Sequence, residues 1–274
     1  MIMGSAVDLE RLAREIRGRL VRISHDSRTP HLGSALSCVD LLVAAYWSGW
    51  NLDPHAPRDP DRDRVILSKG HAASAWYAVL ARRGYFDSAR LDTFAQAGSA
   101  LSEHPGPRVV PGVEAATGSL GHGLPIGVGM AIAAGIQQRD YRVGVILGDG
   151  ECNEGSVWEA AMTAAANRLD RLVVVIDYNK WQATGRSNEV LHLASLRDKW
   201  ASFGWSAREV DGHDLRELVN AFNDVPNGSG KPVAIIAHTV KGKGVSFMED
   251  DNNWHYRIPN DQELEAALKE LQLA

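Results

Sequence analysis

Gly148-Asp149-Gly150 closes an apolar run at 143–147, and Asn179 stands 30 positions further on, just past a second run at 172–177. Thirty residues is the length of one strand-helix-strand crossover, so the two polar side chains should arrive at the same edge of a parallel sheet. A carboxylate and an amide oxygen there, joined by a backbone carbonyl near Trp181 and by phosphate oxygens, make the all-oxygen shell that Mg²⁺ or Ca²⁺ prefers. The glycines let the backbone approach a phosphate, and a helix starting near Glu154 turns its free N–H groups toward it. Gly-Asp-Gly alone is weak evidence, because the same tripeptide makes ordinary tight turns. Its spacing from Asn179 is what gives it weight.

Histidine is the second chemical resource, with ten in 274 residues. Most must be surface or packed residues. His71 stands out because it directly follows an apolar run and a glycine, whereas His25, His55 and His192 have no such setting. His213, in Asp-Gly-His-Asp, is expected to organise a turn before a helix, and His238 ends a strand. Lys241-Gly-Lys-Gly244 lacks the spacing of a Walker loop and is read as a bend, and Gly121-His-Gly123 has no preceding strand to make a dinucleotide site.

The elements that must position these residues follow from periodicity and breakers. Leu9, Leu12, Ile16, Leu20 and Ile23 predict an amphipathic helix over 7–25, and a second helix is expected at 39–48. A Pro/Asp-rich loop spans 51–63, then a strand at 64–68 and a helix at 70–83. Seven Gly and Pro positions keep 85–119 irregular, which in a compact domain marks a functional or mobile loop. An Ala/Gly-rich helix at 121–138 suits close packing against a sheet or another chain. Strands at 143–147, 172–177, 205–210 and 233–237 alternate with helices at 154–167, 194–203, 214–223 and 261–272. Continuous apolar strands alternating with helices predict an α/β fold, a doubly wound and mostly parallel sheet covered on both faces, with ligands beyond the strands' carboxyl ends.

With 45% hydrophobic and 23% charged residues, the composition is that of a globular protein, read as one domain over 1–274 with a short helical tail. A net charge of −5 gives no general attraction to nucleic acid or to an anionic membrane. No stretch approaches the roughly 20 apolar residues of a membrane span. The first residues lack the apolar core of a secretory signal, and Cys38 and Cys152 are too few for a disulfide scaffold, so a cytoplasmic location is expected. Cys152 is read as a packed residue, and Trp47, Trp50, Trp158, Trp200 and Trp205 as core or subunit-contact residues.

Gly148-Asp149-Gly150 followed by Asn179 matches the thiamine diphosphate motif. The surrounding LSKGHAA, ATGSLGHGLPIGVGMA, GDGECNEGSVWEAA and HTVKGKGVSFMED resemble, in order, the amino-terminal diphosphate-binding (PP) domain of transketolase over about residues 10–260. The resemblance implies that Asp149, Asn179 and the Trp181 carbonyl hold Mg²⁺, or Ca²⁺ or Mn²⁺ in its place. It implies that Gly148 and Gly150 border the diphosphate, with the Gly150 N–H donating to it, and that His71 and His255 also contact cofactor. His31 and His104 would face the substrate's first carbons, Gly118 and Leu120 would line the aminopyrimidine, and Glu154 would connect to a glutamate of a partner. Catalytic assistance would fall to His31, His71, His104 and His255. Two departures, Pro30-His31-Leu32-Gly33 for the usual Gly-His-Pro-Gly and His122 for a common Gln, bear on substrate choice more than on cofactor.

The implied reaction moves a two-carbon glycolaldehyde unit from a ketose, expected to be phosphorylated, to an aldose. The pyrimidine-binding domain of the family is not in this sequence. A second polypeptide carrying it, in an α2β2 heterotetramer, is the expected partner. A 1-deoxyxylulose-phosphate synthase, a 2-oxoacid dehydrogenase subunit or a non-catalytic cofactor-binding remnant would share the metal motif. The two enzymes would not share the combination of His31, His71, His104 and His255, and the remnant would be supported if no adjacent reading frame encoded a pyrimidine-binding domain.

Overall fold

The computed structural model describes residues 6–107 and 110–273. The first five residues, on which part of the leader argument rests, and residues 108–109 of the expected irregular stretch lie outside the described residues. Five strands, β1 (Arg64–Leu67), β2 (Val143–Gly148), β3 (Leu172–Tyr178), β4 (Ser206–Asp211) and β5 (Val233–His238), form one sheet in the order β1-β2-β3-β5-β4. Every pairing is parallel, so the sheet is wholly rather than mostly parallel.

Strand alternation divides the core into two layers. Val173, Val175, Val233, Ile235 and Ala237 point to one face, against α1 (Ala6–Ser27), α3 (Val39–Trp47), α4 (Ala73–Arg83) and α9 (Leu215–Asn223). Leu172, Val174, Ile176, Ala234 and Ile236 point to the other, against α5 (Gly123–Ile136), α6 (Gly155–Ala166) and α8 (Leu196–Ser202). Both faces are dry, which is why these strands read as continuous apolar runs. Close approach of α5 to the sheet depends on Gly127, where a Cβ would lie 2.6 Å from Val145 Cγ2.

Among the described residues, five short helical pieces were not expected from sequence, two of them the 3-10 turns Gly150–Asn153 and Asn252–His255. Helix α2 (Leu32–Ser37) is buried at all six residues, so no polar side reveals it, and α7 (Ser187–Val190) is a single turn. Ser88–Thr93 forms a 3-10 turn inside the stretch read as irregular, started by Asp87 accepting from the Ala89 N–H at 2.9 Å. Residues Gly70–Ala72 also form a 3-10 turn, so α4 begins at Ala73 rather than at 70. Helix α10 (Asp261–Glu270) opens with a capping box between Asn260 and Glu263 and folds back on α1, where Leu273 packs against Gly18 and Arg14 donates to Gln272 at 3.0 Å. No helix among the described residues is long and apolar enough to cross a membrane. Cys38 and Cys152 are free and buried, for Cys152 the packed role expected of it.

Candidate active site

Parallel pairing brings the carboxyl ends of the strands to one edge, with Gly148 of β2 opposite Asp177 of β3 and Tyr178 of β3 opposite His238 of β5. Asp149 follows at once and is 1% exposed. Its Oδ1 accepts from the Gly150 N–H at 2.9 Å, and its Oδ2 accepts from the Lys180 N–H at 2.9 Å and the Ser187 hydroxyl at 2.8 Å. Asn179 Oδ1 accepts from the Trp181 N–H at 3.1 Å. The carboxylate and the amide are thus both bound to the single turn 179–181. Lys180 holds this turn in a left-handed conformation, φ 69°.

The turn is itself braced. Trp181 and Arg186 form an antiparallel bridge, the Arg186 guanidinium lies 3.8 Å from the Trp181 ring centroid, and both side chains donate to Asp250. This fixes the Trp181 backbone, whose carbonyl the resemblance places on the metal.

Asp149 makes no ion pair among the described residues, and burial pushes its carboxyl up to about 6. Beside it, a Cβ on Gly150 would lie 2.7 Å from Gln182 Cγ, and the buried Gln182 amide nitrogen has no acceptor among the described residues. A buried carboxylate without a counter-ion next to a buried donor without an acceptor fits a cation together with an oxyanion. The expected free N–H of Gly150 is instead turned onto Asp149, which caps the 3-10 turn Gly150–Asn153. Gly148 leaves open space, since a Cβ there would meet protein only at 4.0 Å.

Four charged side chains that sequence reading missed organise the same edge. Asp177, fully buried at the tip of β3, accepts from Lys69, from Thr239 and from Ser37 at 2.6 Å. Burial alone would push its carboxyl up, but the Lys69 ammonium holds it below the usual range. Glu151 accepts from Ser68, from the Gly121 N–H at 2.9 Å and from the Gly148 N–H at 3.0 Å, tying the Gly-Asp-Gly turn to the end of β1 and the start of α5. Lys241, 1% exposed, donates to Asn252 at 2.6 Å and faces His255 Nδ1 at 3.3 Å. Its amine is lowered to about 8, first by burial and then by Lys69. The Lys241-Gly-Lys-Gly stretch does bend, because Gly242 has φ 79° and the Met248 carbonyl occupies the space a Cβ there would need.

Four histidines from four separate segments converge beside Lys241. The His31 ring centroid lies 5.4 Å from His71, 6.1 Å from His104 and 5.1 Å from His255. Backbone contacts lock the group: the His31 N–H donates to the His255 carbonyl at 2.8 Å, and a Cβ on Gly70 would strike the Thr117 and Gly118 backbone at 2.5–2.6 Å. Gly118, φ 134°, leaves room for the His104 ring, which would otherwise stand 2.5 Å from a Cβ. Leu120 is 37% exposed at the rim, His122 faces the Leu120 carbonyl, and Glu154 is exposed with its stem packed on Gly121. Of the other histidines, His25 bonds Asp26 and Asp261, and His238 faces Glu209 at 3.2 Å.

Burial and neighbouring charges lower His31 to about 4 and His255 to about 3, and drive His71 well below its ordinary value. At neutral pH these rings are uncharged, each with one donor and one acceptor nitrogen. Since unfolded imidazoles titrate near 6.5, the unfolded chain takes up protons that the folded chain refuses as pH falls below that value. Stability from these groups is complete above about pH 6.5 and is lost on acidification toward 4. Thermal denaturation across this range is expected to show a falling Tm, with a shallower fall in His31→Asn, a residue that tolerates the φ of 70° at this position. Parallel curves for the two proteins would contradict a neutral His31.

Fold and site together define a doubly wound α/β protein whose strand tips gather buried carboxylates and lysines beside a pocket of neutral histidines. The family described as "Transketolase, thiamine diphosphate binding domain" matches residues 10–273, and the chain belongs to it. It is 41% identical over 263 residues to a protein of Phocaeicola vulgatus named as one of the subunits of apulose-4-phosphate transketolase, covering 96% of this chain and 93% of that protein. It is 40% identical over 266 residues to the 6-deoxy-6-sulfo-D-fructose transketolase subunit SqwG of a Clostridium species, covering 97% of each. The structure superposes on transketolase of Campylobacter jejuni with a TM-score of 0.90 at 28% identity, over 96% of this chain and 42% of that one. For transketolase of Pichia stipitis in complex with sedoheptulose-7-phosphate the TM-score is 0.91 at 28% identity, over 98% and 41%. The chain therefore spans about two fifths of those transketolases, but nearly the whole of the relatives named as subunits.

Proposed function

We propose that this chain is the diphosphate-binding subunit of a two-subunit transketolase, binding thiamine diphosphate with Mg²⁺ and moving a two-carbon ketol unit from a ketose to an aldose. The observation that carries this reading is the convergence of His31, His71, His104 and His255 beside the Asp149 and 179–181 cradle. A cofactor cradle alone would suit other thiamine enzymes, and the histidine pocket supports sugar chemistry. The relatives named for apulose-4-phosphate and 6-deoxy-6-sulfo-D-fructose act, by those names, on anionic sugars. That favours a phosphorylated or otherwise anionic ketose here.

Asp149, Asn179 and the Trp181 carbonyl would hold the cation, for which Ca²⁺ or Mn²⁺ could substitute. Lys69, Lys241 and the Gln182 amide would face the diphosphate, and Gly118 and Leu120 the aminopyrimidine. The cofactor, when bound, supplies a nucleophilic carbon and an electron sink for carbon–carbon cleavage. The chain's own part is to orient and to move protons. Neutral His31 and His71 can each accept a hydrogen bond from a sugar hydroxyl on one nitrogen and donate from the other, His255, whose Nδ1 faces the Lys241 ammonium, offers an Nε2–H donor, and His104 at the mouth completes the set. Burial, and then the Lys241 charge beside it, keeps the His255 ring neutral.

The reading includes a partner polypeptide bearing the pyrimidine-binding domain, in an α2β2 assembly. Helix α5 supports it: apolar residues occupy nearly every side of the helix, yet Ile136 is 78% exposed, and Met162 on the neighbouring α6 is 54% exposed. An all-round apolar helix belongs in an interior. Glu154 stands at the same edge, available to a partner's carboxylic acid. Free Cys38 and Cys152 suit a reducing cytoplasm.

Co-expression with a candidate pyrimidine-domain subunit, followed by a ketol-transfer assay with thiamine diphosphate and Mg²⁺, tests the proposal. Activity is expected only for the pair. Ketol transfer by this chain alone would rule out the two-subunit arrangement.

A further inference from the structure

His213 lies in the turn between β4 and α9, outside the histidine pocket, and its sequence setting predicts only that it organises that turn. It does more. Its Nδ1 faces Asp40 Oδ2 at 2.7 Å, and its Nε2 meets the Val240 N–H at 2.9 Å. A backbone N–H can only donate, so Nε2 must be the unprotonated acceptor. The ring proton then sits on Nδ1 and points at Asp40.

Asp40 is prepared for that role. Arg17 of α1 reaches it with two bonds, 3.1 Å to Oδ1 and 2.6 Å to Oδ2, and both partners are buried. Burial alone would push this carboxyl up, but Arg17 and His213 hold it below its usual range. An ionised Asp40 accepts only, which excludes the other tautomer of His213. A chain of bonds thus runs from α1 through α3 and the β4–α9 turn to the backbone of Val240.

The next residue is Lys241, whose amine contacts Asn252 and His255. The Gly242 N–H donates to the Gly33 carbonyl at 3.0 Å, two residues from His31, so the same turn also touches α2, the helix that begins directly after the first pocket histidine. We propose that His213 is a positioning residue: locked in the Nδ1–H tautomer by the Arg17–Asp40 pair, it fixes the 239–242 turn and thereby sets the Lys241 amine and the His255 ring in the pocket. The tautomer and the turn are properties of the chain, and the consequence for catalysis rests on the transketolase reading.

The test uses two amide variants and the wild-type ring. His213→Gln places an amide oxygen where Nε2 was, able to accept from Val240. His213→Asn places an amide nitrogen where Nδ1 was, able to donate to Asp40 but unable to reach Val240. In the complex with the pyrimidine-domain subunit, the Asn variant is expected to lose roughly tenfold or more in kcat/KM, the scale of a small misplacement of reacting groups. The Gln variant should stay within about threefold of wild type, with both variants unfolding at similar temperatures. Equal activity of the two variants, or losses that follow thermal stability alone, would overturn the proposal. Nitrogen-15 NMR of the intact wild-type chain at pH 7.5 should show a protonated Nδ1 and a bare Nε2 for His213, and a protonated Nε2 would also overturn it. If the wild-type complex shows no ketol transfer, the transketolase reading fails. Hydrogen exchange at the Val240 amide then decides for His213, with protection expected in wild type and Gln but lost in Asn.

Discussion

Asp149→Ala is expected to weaken the binding of thiamine diphosphate with Mg²⁺ by roughly a hundredfold or more, about 3 kcal/mol, while leaving the chain folded. The carboxylate is 1% exposed, has no ion pair among the described residues, and is bonded by Gly150, Lys180 and Ser187. Removing it takes away an unneutralised buried charge together with three hydrogen bonds, and these changes oppose one another in stability. In binding they should not oppose, because on the proposed reading a dication would lose its one buried charged ligand. Asp149→Asn keeps the shape and loses the charge, so it should bind nearly as poorly as Ala. Isothermal titration of the two-subunit complex checks both variants, and wild-type affinity in either would remove Asp149 from the site.

The second large effect concerns folding. Asp177→Ala leaves the Lys69 ammonium buried, 1% exposed, with the Ser34 carbonyl at 3.0 Å as its remaining hydrogen-bond partner. Breaking one side of a buried pair typically costs about 3–5 kcal/mol, a large share of the stability of a domain. Thr239 loses its acceptor at the same time and Ser37 keeps only the Ser34 carbonyl at 3.0 Å, which adds to the loss. The paired variant Lys69→Met with Asp177→Leu removes both charges and should recover much of that stability, though not the diphosphate site. Chemical denaturation of the three proteins gives the comparison. A single variant no less stable than the double would mean that the pair does not hold the strand tips together.

The strands were legible because burial on both faces demands an uninterrupted apolar run, and 143–147, 172–177 and 233–237 lie within β2, β3 and β5. Helix ends were read to within a few residues where a cap or breaker marks them, as Asp214 and Asn260 do for α9 and α10. Helix α2 was illegible for the opposite reason: it has no exposed side to create a period, and its N-cap, His31, makes no side-chain cap bond.

The 30-residue interval between Asp149 and Asn179 had structural meaning in advance, because one crossover in a parallel sheet fixes it. No interval relates His31, His71, His104 and His255, which come from four unrelated segments. They could be grouped only through the family resemblance. Lys69, Asp177, Glu151 and Lys241 were missed although a signal existed. Asp177 is an acid at the end of an otherwise apolar strand, and such a residue is almost never buried without a partner, so its presence announced a cation nearby.

The most direct measurement of the central claim is a crystal structure of the two-subunit complex grown with thiamine diphosphate and Mn²⁺, with anomalous scattering locating the metal. One manganese ion is expected, bound by the Asp149 carboxylate, the Asn179 amide oxygen and the Trp181 carbonyl, and shared with the diphosphate. An anomalous peak elsewhere, or a diphosphate seated with its metal held by other residues, would contradict it.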